Sequence, residues 1–169
     1  MRYKEAEDLF NQALETVEHS QGDWSKVVGH VLNNYGNLLR SQNRSSDAIP
    51  LYRRALPILE KTQGKDSPNV ANLLNNLANA LQKEGQLEES AAAFEEALRI
   101  LETTTKSVDY TTNNALLGMI LSNYARLLVK QKRYADAEEI FRRSSALREK
   151  ELDQLHEVAD SIENLAVML

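Results

Sequence analysis

The chain contains no cysteine. That removes disulfide frameworks and thiolate metal sites together, and it suits a reducing compartment, so a cytoplasmic location is expected. Six glycines and three prolines in 169 residues are too few for the many tight turns of an all-β protein. Long apolar runs are missing as well. The longest, residues 115–121, contains Gly118 and falls far short of the roughly 20 residues that cross a bilayer. The first ten residues, MRYKEAEDLF, read as an acidic helix rather than a signal peptide. Positive charge is in deficit, 20 Lys and Arg against 25 Asp and Glu, which argues against a nucleic-acid partner because such proteins need a basic stripe.

The signatures of catalysis are also absent. No glycine-rich phosphate loop, HExxH, nucleophile elbow or EF-hand loop occurs. His19, His30 and His156 lie far apart in sequence, so no metal site is expected. Neighbouring acids such as Glu88 and Glu89, or Glu138 and Glu139, would point about 100° apart on a helix and form solvated charge rather than an acid–base couple. The chain is therefore expected not to be an enzyme and to need no cofactor.

What the sequence does have is repetition. Ala6, Phe10, Ala13 and Leu14 return as Ala48, Tyr52, Ala55 and Leu56, and again as Ser90, Phe94, Ala97 and Leu98, each step being 42 residues. A further step of 47 gives Ala137, Phe141 and Ser144. Asn34, Asn76, Asn123 and Asn164 follow the same rhythm, the last after 41 residues. Periods of this length mark stacked units that bury their apolar faces only against their neighbours.

Within a unit, a small residue recurs after 12 positions: Gly36 and Ala48, Ala78 and Ser90, Ala125 and Ala137. Between the members of each pair lies a short polar break, and on both sides the apolar residues keep helical spacing, as in Leu32, Tyr35 and Leu39 or Leu74, Leu77 and Leu81. Each unit is thus predicted to be an αα-hairpin whose small residues let its two helices approach closely. The aromatic four residues after the second small residue, and the small residue three beyond that, would seat the next hairpin.

This small–12–small–aromatic–small pattern resembles the tetratricopeptide repeat family over almost the whole chain. The 42-residue spacing is similar to that of the long-helix variety found in kinesin light chains and many bacterial relatives. Residues 64–102, GKDSPNVANLLNNLANALQKEGQLEESAAAFEEALRILE, carry the likeness most clearly. Ser67 stands where that family usually has histidine; it is a good N-cap, and Pro68 a good first helical residue. The resemblance implies an all-α fold, a right-handed α-solenoid of stacked αα-hairpins. An orphan second helix is expected at about 2–20, hairpins at about 24–63, 67–105 and 110–152, and a final first helix at about 156–169. Beginning and ending inside a unit, the chain is expected to be a fragment of a longer array, or one that completes itself against another chain.

Asparagine stands out on the first helices. Asn34, Asn76, Asn123 and Asn164 each sit two positions before a small packing residue, although asparagine forms helices poorly. Asn37, Asn79 and Arg126 follow three residues later, and Arg40, Lys83 and Lys130 about a turn beyond. In the resembled family these positions line a concave groove, where asparagines hold the backbone or terminal carboxylate of a bound peptide. The resemblance gives that role to Asn34, Asn76 and Asn123, with the other six beside them. The other reading is that the amides bond neighbouring helices and hold the stack together. Charge adds a hint: residues 26–42 carry two net positive charges, 68–84 none and 112–132 three, on a chain of −5. A relatively basic face inside an acidic chain favours an acidic or C-terminal carboxylate ligand. The expected function is a non-catalytic scaffold that binds a partner peptide. Its rival is an array that self-associates end to end, or serves as the regulatory segment of a larger signalling protein, with no membrane and no nucleic acid as partner in either case.

Overall fold

The structure is a computed structural model, and it describes residues 2–104 and 110–149. The final helix expected at 156–169 lies outside the described residues, as do residues 105–109. Among the described residues seven helices follow one another: α1 (Arg2–Gln21), α2 (Lys26–Ser41), α3 (Ser45–Gln63), α4 (Pro68–Lys83), α5 (Leu87–Thr104), α6 (Tyr110–Lys130) and α7 (residues 134–149). No strand occurs among the described residues, so the fold is the all-α solenoid class that the hairpin pattern predicts. The helices fall into two compact units, Met1–Val108 and Asp109–Leu169.

Local chemistry explains where the helices start and stop. Ser67 Oγ accepts a hydrogen bond from the Val70 N–H at 3.3 Å, and Pro68 opens α4, where its missing N–H costs nothing. Ser25 caps α2 in the same way through the Val28 N–H, also at 3.3 Å. A cap of this kind contributes about 1 kcal/mol. The turn inside each hairpin needs one residue in the left-handed region. Asn43 (φ 65°), Gly85 (φ 79°) and Lys132 (φ 62°) supply it, and they stand 42 and 47 residues apart, in step with the repeat. Glycine and asparagine tolerate that conformation; the lysine does so at some strain. Both Pro50 and Pro57 lie inside α3, which continues through them to Gln63.

In the first unit α2 packs on α3, α4 on α5, and α3 on α4, while α1 lies against α2. The small residues sit at these contacts: Ala48, Ala55 and Ala97 are completely buried. Tyr52 and Phe94, one per hairpin, are equally inaccessible. α2 comes so close to α3 that only glycine fits at two places. A Cβ on Gly36 would lie 2.6 Å from Tyr52 Cε1, and one on Gly29 would lie 2.5 Å from Leu59 Cδ2. The α4 positions 42 residues later are Ala71 and Ala78, both completely buried, so the second hairpin accommodates a methyl group where the first has glycine.

Second helices are tied to one another by exposed ion pairs. Arg44, just before α3, reaches Glu7 of α1 at 2.8 Å, and Arg54 of α3 reaches Glu18 of α1. The adjacent Arg53 turns the other way, to Glu89 of α5 at 2.7 Å. Pairs this exposed contribute little stability, about 0–1 kcal/mol each. Trp24 is largely exposed, with the Lys61 amine 5.0 Å from its ring centre.

In the second unit α6 and α7 form the corresponding hairpin. Ala137 is buried, and Ser144 Oγ donates to the Gly118 carbonyl at 3.1 Å. The first unit has a comparable helix-to-helix bond, from Ser90 Oγ to the Ala78 carbonyl at 2.8 Å. Hydroxyls at these positions give small-residue packing a directional bond that alanine lacks.

Candidate functional site

Asn76 lies in the middle of α4 and is 7% exposed. Its Nδ2 donates to Asn33 Oδ1 on α2 at 3.1 Å and to Asn72 Oδ1 one turn back at 3.2 Å. The repeated asparagine therefore joins neighbouring first helices. Asn34, its counterpart in α2, is exposed and has no such bond. The neighbours differ: α4 lies against the first helix α2, which offers Asn33, while α2 lies against the second helix α1. Sequence reasoning selected neither Asn33 nor Asn72. The signal was available, because Asn33-Asn34 and Asn75-Asn76 are doublets 42 residues apart and Asn72 lies one helical turn before Asn76.

One turn along, Asn37 Oδ1 accepts the Tyr52 hydroxyl at 2.8 Å. Burial pushes the Tyr52 phenol above its ordinary pKa, and the guanidinium of Arg40 acts against that shift. Arg40 itself is half-buried, and its Nε has no partner. In the next hairpin Phe94 replaces the tyrosine and offers no hydroxyl. Asn79 accordingly turns along its own helix, donating to the Asn75 carbonyl at 2.8 Å and to Asn75 Oδ1 at 3.2 Å. Lys83 is exposed and reaches back to Asn43 Oδ1 at 2.6 Å, so it links the left-handed turn of one hairpin to the end of the next first helix.

In the second unit Asn123 is 9% exposed, and its Oδ1 accepts a hydrogen bond from Arg126. Both line a cleft of about 710 Å³ between α6 and α7. Arg148 borders the same cleft and donates to Ser122 Oγ at 2.9 Å. It escaped the sequence reading because only first helices were searched for charge, and Arg148 belongs to a second helix. Lys130 is exposed at the end of α6.

The predicted residues thus divide by role. Asn76 and Asn79 are committed to the first helices themselves, Asn37 to the buried tyrosine, and Asn123 to Arg126. Asn34, Arg126 and Lys130 face solvent. Among the described residues no group of three His, Cys, Asp or Glu side chains is placed to hold a metal ion. No described helix is long and apolar enough to cross a membrane.

No curated protein matches the chain in sequence. Among solved structures, BtubC (BKLC) from P. vanneervenii superposes with a TM-score of 0.80 at 21% identity, over 88% of this chain. The chain spans 57% of that protein's length. A provisionally assigned kinesin light chain from Podosopora anserina, with nearly identical TPR-like repeats, gives a TM-score of 0.52 at 15% identity over 88% of both chains. A single-substitution variant of the Podosopora anserina protein gives 0.53 at 14% over 89% of both. At these identities the likeness is one of fold. Two family models described as tetratricopeptide repeat match the sequence itself, one at residues 1–61 and 27–103 and the other at 117–156. With repeats of that description matched along most of its length, and with the hairpins, small-residue contacts and turns in register, the chain belongs to the tetratricopeptide repeat family.

Proposed function

We propose that the chain is a non-catalytic interaction module that holds a peptide segment of a partner protein, acidic or ending in a free carboxylate, against the asparagine-bearing face of its first helices. Tetratricopeptide repeats generally mediate protein–protein interaction. The observation that carries the finer reading is the return of one amide at one helical register in α2, α4 and α6, on helices that are net basic within an acidic chain. Asn76 gives both Nδ2 hydrogens to Asn33 and Asn72, which leaves its Oδ1 to accept a peptide N–H. Exposed Asn34 keeps both donor and acceptor for a ligand. Arg40, Arg126 and Lys130 supply the charge for a carboxylate, and Asn37, Asn79, Lys83 and Asn123 shape the surface around them. A cytoplasmic location fits this role.

A binding titration with an acidic partner peptide tests it. Neutral amide contacts contribute roughly 0.5–1.5 kcal/mol each and charge-assisted ones about 1.5–3 kcal/mol. Replacing Asn34, Asn76 and Asn123 together by alanine should weaken binding tens-fold or more, and affinity should fall as salt rises. Because Asn76 also bridges helices, Asn34→Ala alone is the cleaner probe: it should cost affinity at unchanged thermal stability. Full affinity in the triple variant, with Arg40→Ala and Arg126→Ala also silent, would place the site elsewhere.

A further inference from the structure

The hairpin of α6 and α7 keeps the pattern of the first unit but changes the chemistry at its seam. Gly29 and Leu59, Ala71 and Leu101, and Gly118 and Arg148 occupy one register, the members of each pair 30 residues apart. In the first unit this place is filled: a Cβ on Gly29 would strike Leu59, and Ala71 and Leu101 are completely buried. In the second unit a Cβ added to Gly118 would meet nothing within 4 Å. Leu98 of α5, also buried, has Ser145 as its counterpart in α7. An alanine and two leucines of the second hairpin are thus exchanged for a glycine, a serine and an arginine. All three of the replacements line the cleft of about 710 Å³ between α6 and α7.

Hydrogen bonds fix one wall of that cleft. Ser122 and Ser144 both donate to the Gly118 carbonyl, at 3.0 and 3.1 Å. With both hydroxyl hydrogens placed there, Ser122 Oγ is left to accept from Arg148 at 2.9 Å. Arg126 stands one helical turn beyond Ser122, lines the same cleft and donates to Asn123. Each guanidinium carries five N–H donors, so both keep several for a ligand. Among the described residues neither is paired with a carboxylate, whereas Arg133 and Arg142 of the same hairpin are held by Asp136 and Glu138. No described acid lines the cleft. Residues 110–149 carry seven Lys and Arg against four Asp and Glu, the reverse of the balance in the whole chain. Met119 and Phe141, both partly exposed, add an apolar wall.

We propose that the α6–α7 seam is a second binding site, for a small molecule that carries a phosphate monoester on an apolar or aromatic body. Two guanidiniums without a counterion call for a dianion, and a phosphate monoester is close to doubly charged at neutral pH, where a carboxylate bears one charge. Planar arginine forks reach phosphate oxygens two at a time. The organic body lies against Phe141 and Met119. A cleft of this volume suits a molecule of metabolite size. The site requires Arg148 and the open space beside Gly118, neither of which the peptide reading uses.

Titration with phenyl phosphate, followed by calorimetry and by the arginine Nε–H signals in NMR spectra, tests it. Binding should shift the signals of Arg126 and Arg148 and leave those of the paired Arg133 and Arg142 in place. Benzoate, with one charge on the same ring, should bind about tenfold more weakly, and so should inorganic phosphate, which lacks the ring. Arg148→Gln should weaken phenyl phosphate by about tenfold or more. Gly118→Leu is the second probe. Its side chain has room to enter, so the melting temperature should hold while the filled cleft loses the ligand. If Arg148→Gln fails to fold, Gly118→Leu decides alone. Loss of phosphate binding in these variants and loss of peptide binding in Asn34→Ala are separate results. Wild type that does not bind phenyl phosphate at millimolar concentration overturns the proposal, as does undiminished binding by Gly118→Leu or equal affinity for benzoate. A phosphotyrosine peptide that binds more tightly than phenyl phosphate would overturn the small-molecule assignment in favour of a partner protein's modified side chain.

Discussion

Phe94→Ala should destabilise the first unit by about 3–5 kcal/mol, the range for removing a large aromatic from a core that closes only partly over the gap. Phe94 is completely buried, and so are Ala78, Ala97, Ile100 and Leu101 around the same hairpin. Alanines cannot extend into the space a phenyl ring leaves, so the cavity persists and its lining loses contacts on one side. In a stack that is stable only through neighbouring interfaces, the loss is felt beyond α5. Chemical denaturation of the variant should show a lower midpoint, and amide exchange should quicken in α4 as well as α5. A cost below about 1 kcal/mol would mean that the ring is not the wedge between these helices, because even modest core truncations exceed that.

Gly36→Val should cost about 1–3 kcal/mol, as overpacking does, even though valine is the better helix former of the two. Its Cβ would begin 2.6 Å from Tyr52 Cε1 and 2.8 Å from Cζ. The ring has nowhere to go: it is completely buried, and its hydroxyl is held by Asn37 at 2.8 Å. Gly36→Ala makes a sharper test of the same idea. In an open helix that change gains roughly 0.8–1 kcal/mol, whereas here it should be destabilising. On a Tyr52→Phe background the penalty should shrink, since the ring is then free of its tether to Asn37; a double-mutant cycle by thermal denaturation would measure that coupling. If Gly36→Ala instead raises the melting temperature, the α2–α3 contact is looser than the structure has it.

The hairpins were legible because the signals that make them are local and repeated. Ser67 and Pro68 announce the start of α4 in sequence as they do in space. The small residues Ala48, Ala55, Ala97 and Ala137 mark helix contacts because nothing larger fits there, and all four are buried. The candidate site was harder to read. Asn34, Asn76 and Asn123 look alike in sequence, yet each has different company: solvent, a neighbouring first helix, and an arginine on its own helix. Periodicity says which residues share a face. It does not say which of them the adjacent helix will use, because that depends on side chains one whole repeat away. The exchange of Tyr52 for Phe94 redirects Asn79 in this way, through the loss of a single hydroxyl 15 residues downstream.

The first unit is held together by two unlike kinds of bond, one on each side. Its first helices are joined by neutral amides, Asn76 to Asn33, partly buried and carrying no net charge for dissolved ions to screen. Its second helices are joined by exposed guanidinium–carboxylate pairs, Arg54 to Glu18 in one direction and Arg53 to Glu89 in the other, which ions weaken. A rise in ionic strength therefore slackens one layer while the other keeps its spacing, as heat lengthens one metal of a bonded strip and not its mate. Electrolyte acts on such a unit as a bending moment long before it acts as a denaturant.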